Sequence, residues 1–172
     1  MEIVEEVCAA IGPDRLGVRL SPFGQYGGIH DSKPRELFTF VIKELNQRHL
    51  AYLHLIEARG SEIGLTDELH ENAVNNAVLF RSLFNGPLLS AAAYTPEGAR
   101  VAIEQKYADA IAFGRLFIAN PDLVERIKEN QPLNASDHST FYGGAEHGYT
   151  DYKTFGEAAW NALHNPQSEA RA

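Results

Sequence analysis

Gly114 and Arg115 end a short apolar run, "DAIAFGR", just before the helix-starting triplet Asn120-Pro121-Asp122. A run of that kind forms a buried strand, and burial disfavours a guanidinium that has no partner. At the C-terminal end of a strand the same pair has a chemical use. Glycine lets a backbone approach closely, and the guanidinium forks onto an oxyanion. A second loop, "SAAAYTPEG", places Ala92 and Ala93 after another apolar run. Backbone N–H groups around Ala92, Ala93, Gly114 and Arg115 could converge on one phosphate, and Arg19, closing "LGVRL", adds a cation on the same rim. The competing reading of each arginine is an ion pair with a surface carboxylate.

These residues need elements to position them, and the chain alternates strand and helix signals. Apolar runs at 16–20, 51–57, 88–94 and 108–114 predict four strands. Helical spacing predicts helices over 2–10, 34–48 and 67–84, from Pro96 to Tyr107, and over "PDLVERIKE", with a last short helix near "TFGEAAWNAL". Asp31 and Ser32 are candidate caps for the helix at 34, and Thr95 followed by Pro96 is an N-cap with proline at the first helical position. Strands that each lead into a helix imply parallel pairing with helical crossovers, buried on both faces. An open doubly wound sheet and a consecutive piece of a (βα)8 barrel both fit. In either, ligands sit at the C-terminal strand ends. No Gly-x-Gly-x-x-Gly or Walker-type loop follows any strand, which disfavours a nucleotide-binding Rossmann unit.

The composition narrows the function classes. The chain has 172 residues, 44% apolar, 22% charged, with a formal charge of -8. That suits one substantial globular core. The acidic balance argues against nucleic acid, whose phosphates need a concentrated basic surface. No apolar stretch approaches the roughly 18 residues of a membrane span. The acidic N-terminus is unlike a signal peptide, and a single cysteine, Cys8, excludes an internal disulfide. A cytoplasmic location is the expectation, with Cys8 packed on an apolar helix face. His54, inside an apolar run, reads as a core residue, whereas His138 and His147 read as solvent-facing. No ligand cluster supports a metal site.

The blocks "GVRLSPFG", "YLHLIEAR", "AAAYTPEGA", "DAIAFGRLFIANPDL" and "FYGGAEHGYTDY" resemble, in order and spacing, successive blocks of the old yellow enzyme family. These are FMN-dependent, NAD(P)H-linked ene-reductases, and the likeness runs from about residue 2 to 160. It implies an α/β fold, the C-terminal half (strands five to eight) of a (βα)8 barrel over residues 1–130, with 131–172 as a tail over the strand-end face. It implies FMN as cofactor, with NADPH or NADH as reductant and an electron-poor alkene as substrate. By the same resemblance Arg19 lies along the flavin near N1 and the C2 carbonyl. Gly114 and Arg115 hold the FMN phosphate beside the Ala92 and Ala93 backbone, and Tyr142 reaches the substrate pocket. Relatives carry glycine where this chain has Ala92, which matters if that residue needs positive φ.

Family members are about twice this length. The half without a counterpart here supplies the histidine pair, or histidine and asparagine, that binds the substrate carbonyl, together with the proton-donating tyrosine. The resemblance therefore implies no catalytic residue in this half and little enone reduction by the chain alone. Its exposed edge strands and apolar concave face call for an N-terminal half or a second copy of the chain. A non-catalytic flavin- or phosphate-binding fragment is the alternative. A fragment of another phosphate-binding barrel would carry a strand-end lysine or a carboxylate pair. Lys33, Lys43, Lys106 and Lys128 fall instead on helices or loops, and Glu57 has no matching second carboxylate.

Overall fold

The computed structural model describes residues 1–25, 28–59, 73–143 and 145–164. They fall into two compact units, Met1–Ala112 and Phe113–Ala172. In the first, α1 (Glu2–Ile11), β1 (Gly17–Leu20), α2 (Pro34–Asn46), β2 (Tyr52–Ile56), α3 (Asn76–Phe80), β3 (Leu88–Ala91), α4 (Pro96–Glu104) and β4 (Ala110–Ala112) follow one another along the chain. The four strands form one parallel sheet in the order β1-β2-β3-β4, so each strand pairs with its neighbour in sequence. The register aligns Val18 with Leu53 and Leu88, and Arg19 with His54, Leu89 and Ala110.

Side chains alternate between the two faces of a strand. One face carries Leu53, Leu55 and Leu88, all fully buried against Ile42 and Leu45 of α2 and Phe80 of α3. Each such leucine contributes about 2 kcal/mol. Cys8 packs against this core as a free thiol. The opposite face carries Arg19, Tyr52, His54, Ile56 and Leu89, none of them buried. The expectation of burial on both faces is corrected accordingly. The helices cover one side of the sheet, and the apolar runs are continuous because the other side is apolar as well. His54 lies on this less covered face and outside the core, again unlike the sequence reading. Gly17 is fixed by close approach, since a Cβ there would stand 2.2 Å from the Tyr52 ring.

Several element boundaries differ from expectation for local reasons. Asp31 does not cap α2. Its carboxylate accepts from the Lys33 amide at 2.6 Å in the turn before the helix. Residues 73–75 are not helical, because the Asn75 side chain accepts from the Val78 amide and starts α3 at Asn76. The earlier part of that expected helix, 67–72, lies outside the described residues. Thr95 caps α4 as expected, accepting from the Gly98 amide at 3.0 Å.

The second unit holds α5 (Arg115–Ala119), α6 (Leu123–Lys128), a 3-10 turn at His138–Thr140 and α7 (Phe155–His164). α5 was not expected; it occupies the "RLFIA" between the glycine and the Asn-Pro-Asp triplet. Asp122 precedes α6 without capping it. Its carboxylate instead accepts from Arg126 Nε and from the Phe155 amide, both at 2.7 Å. α7 opens with a reciprocal cap: Thr154 N–H donates to the Glu157 carboxylate, and Glu157 N–H donates back to Thr154 Oγ1.

Candidate functional site

The first unit places three of the expected site residues at C-terminal strand ends. Arg19 is the penultimate residue of β1, exposed, and beside His54 in the register. Burial, and then the Arg19 charge, push the His54 imidazole below its ordinary pKa. That imidazole is therefore neutral at pH 7 and leaves the Arg19 charge intact. Its Nε2 is buried without a hydrogen-bond partner among the described residues.

Ala92 and Ala93 follow β3 directly, with φ of 80° and 55°. Both are in the left-handed region, which costs an alanine roughly 1 kcal/mol per residue. Two such residues in succession turn the chain sharply at the strand end and present backbone rather than long side chains there.

Gly114 and Arg115 belong to the second unit. Gly114 precedes α5 with φ of -100°, so its backbone does not demand glycine. A Cβ there would meet no atom within 4 Å, so the space in front of Gly114 is open. Arg115 follows, half-buried, as the first residue of α5. A guanidinium beside open backbone suits an oxyanion of the phosphate class. Tyr142 lies after the 3-10 turn of the same unit, 77% exposed, with its phenol accessible. Arg19, Ala92 and Ala93 thus share one unit, while Gly114, Arg115 and Tyr142 share the other.

The sequence reading missed a buried network behind the strand ends. Glu57, just past β2, is 2% exposed. Its carboxylate accepts from the amides of Asn76 (2.6 Å) and Ala77 (3.0 Å), from Ser90 Oγ (2.7 Å) and from Tyr94 Oη (3.4 Å). Arg59 stacks over the Tyr94 ring at 4.2 Å, and burial raises the pKa of the Tyr94 phenol. This carboxylate is structural: it ties the end of β2 to the start of α3 and to β3. The signal for it was one charged residue at the end of an apolar strand, and the partners were not visible in the spacing.

A second network braces α5 and α6. Buried Asn120 accepts from the Asn134 amide at 2.7 Å, and Asn134 Nδ2 donates to the carbonyls of Ala119 and Lys153. Arg126, 3% exposed, donates to Asp122 and to the carbonyls of Pro132 and Lys153. The tail is held locally as well. Tyr149 donates to the Phe141 carbonyl, the Asp137 amide donates to Tyr152 Oη at 2.8 Å, and His147 pairs with Asp151 at 2.7 Å. Tyr149 and Tyr152 thus brace the tail from within. Gly148 is required here, with φ of 78° and a Cβ position only 2.0 Å from Thr140 Oγ1. Among the described residues, no group of three His, Cys, Asp or Glu could hold a metal, and no helix is long and apolar enough to cross a membrane.

The sequence profile of the NADH:flavin oxidoreductase / NADH oxidase family matches residues 1–134. The chain belongs to this family. 12-Oxophytodienoate reductase 2 of Arabidopsis thaliana is 38% identical over 162 residues, covering 92% of this chain and 42% of the relative. Among solved structures, morphinone reductase matches with a TM-score of 0.78 at 38% identity, covering 91% of this chain and 41% of its own. The old yellow enzyme from Trypanosoma cruzi matches with a TM-score of 0.79 at 36% identity, covering 90% and 39%. Morphinone reductase has also been solved in complex with tetrahydroNAD, and that structure matches at 41% identity with a TM-score of 0.75. The chain therefore has the fold of part of an old yellow enzyme (βα)8 barrel. It spans about two fifths of the length of the relatives it matches.

Two of the expected residues, one in each unit, suit the chemistry of FMN. Arg115 supplies a cation beside open backbone at Gly114, and Arg19 supplies a second cation with no described ion-pair partner. At Ala92 the fit carries strain, because this alanine has positive φ.

Proposed function

We propose that the chain forms the phosphate-holding side of an FMN site in an old yellow enzyme-type ene-reductase. The observation that carries this reading is the open backbone at Gly114 followed by Arg115, in a chain of the flavin oxidoreductase family. Gly114 and Arg115 would hold the phosphate, and the Ala92 and Ala93 amides are further candidate donors to it. Arg19 runs along the ring system near N1 and the C2 carbonyl, where its charge favours negative charge on the ring. The neutral His54 next to it leaves that charge undiminished. Tyr142 offers its exposed phenol to the substrate pocket.

FMN, when bound, supplies hydride transfer from NADPH or NADH to the β-carbon of an electron-poor alkene. The tetrahydroNAD complex of morphinone reductase supports a nicotinamide reductant. The residues of this chain bind, orient and polarise; none of them is assigned the proton transfer.

Titration of the purified chain with FMN, followed by quenching of flavin fluorescence, tests the assignment. Arg115→Ala removes a charge-assisted contact and should weaken binding by about tenfold or more. Equal affinity for FMN in the variant and the parent would overturn the phosphate assignment. Binding without NADPH-driven reduction of 2-cyclohexenone by the chain alone is the expected pattern.

A further inference from the structure

Between the end of β3 at Ala91 and the N-cap of α4 at Thr95 lie Ala92, Ala93 and Tyr94. Both ends of this link are pinned. The Ala91 carbonyl accepts from the Glu57 amide at 2.8 Å, and Thr95 Oγ1 accepts from the Gly98 amide. The two alanines are left-handed in succession, and such residues persist only where their surroundings over-determine them. Tyr94 supplies that constraint. Its ring is 9% exposed, and its hydroxyl reaches back four residues to Ser90 Oγ at 3.0 Å. Ser90 donates in turn to the Glu57 carboxylate at 2.7 Å, while the Arg59 guanidinium lies over the ring. The Ser90–Tyr94 bond therefore closes a clasp around Ala91, Ala92 and Ala93.

Inside the clasp, the amides of Ala92 and Ala93 donate to no backbone carbonyl among the described residues, although both residues are half-buried. Backbone N–H groups that leave bulk water ordinarily have an acceptor. Each side chain here is a single methyl group, so little stands between this backbone and an oxyanion.

We propose that Tyr94 is a positioning residue for the phosphate, an inference that rests on the phosphate reading given above. Its clasp holds the Ala92–Ala93 backbone left-handed before the anion arrives, so the two amides receive it without rearrangement. Donors fixed in advance lose little freedom on binding. Without the hydroxyl, the alanines relax toward the conformations that L-residues prefer, and affinity for the phosphate falls.

Tyr94→Phe removes the hydroxyl and keeps the ring beneath Arg59, and its first test needs no ligand. Ala92→Gly relieves the left-handed strain and raises Tm in the parent chain. In a Tyr94→Phe background the same substitution should gain less than half as much, because the clasp that imposes the strain is gone. A hydroxyl with a merely supporting role would lower Tm and leave that gain unchanged. Equal gains in the two backgrounds would thus overturn the proposal. The second test titrates the full 172-residue chain with FMN and with riboflavin, which lacks the phosphate. The preference for FMN should fall at least fivefold in Tyr94→Phe, with riboflavin affinity unchanged. A preference that survives Tyr94→Phe but is lost in Arg115→Ala would overturn the positioning role alone. One that survives both substitutions, or a parent chain that shows none, would overturn the phosphate assignment and the positioning role with it.

Discussion

At Ala92 the chain leaves β3 with φ of 80°, a conformation glycine adopts freely and alanine does not. Ala92→Gly should therefore stabilise the protein by roughly 1 kcal/mol, raising Tm by about 3 °C in a thermal melt. A lowered Tm would mean that the methyl group makes contacts worth more than the strain. The need for glycine at this point was open in the sequence, because φ is not encoded in residue type. The position of the loop was legible, since Ala92 and Ala93 follow an apolar run. His54 shows the opposite error. Its apolar neighbours Leu53 and Leu55 suggested a core position, yet alternation places His54 on the other face from both. A period of two was present in the run and was masked because both faces are apolar.

Helices and strands are joined at two polar points that hydrophobic patterning does not reveal. Glu57 receives four donors from three elements or their flanks. Glu57→Ala would leave the Asn76 and Ala77 amides and the Ser90 hydroxyl without their acceptor, at a cost of about 3 kcal/mol. Denaturant unfolding checks this, with an unchanged midpoint as the contrary result.

At the opposite end of the sheet, Asp109 accepts from the Leu88 amide and from Arg81, both at 2.7 Å. Those bonds hold its carboxyl below the ordinary aspartate range, the Leu88 amide being the largest favourable cause. A depressed folded pKa means that the stabilisation is complete above the unfolded value of about 3.9 and is lost as pH falls through the folded value. Asp109→Asn should therefore lower Tm at pH 7 and converge with the parent as the pH falls below the ordinary aspartate range. A Tm difference that stays constant with pH would contradict this role. The sequence placed β3 and β4 correctly but not α5, whose five residues are too few to show helical periodicity.

As a whole molecule, the alternation of apolar runs and amphipathic segments was enough to read a parallel α/β sheet, and the strand-end blocks were enough to reach the flavin oxidoreductase family. The apolar concave face was implied by the resemblance; what stayed hidden was which residues of each run lie on it. Residue types such as Leu89 and Ile56 record that a face is meant to be dry, and they are silent on which chain dries it. The sheet order adds something of a different kind. Because β1, β2, β3 and β4 lie side by side in the order they leave the ribosome, every pairing joins a strand to the one made just before it. Among the described strands none has to wait for a partner beyond the next crossover, and closure entropy grows only slowly with the length of that crossover. The sheet is thus suited to being laid down one strand at a time during synthesis, with β4 added last.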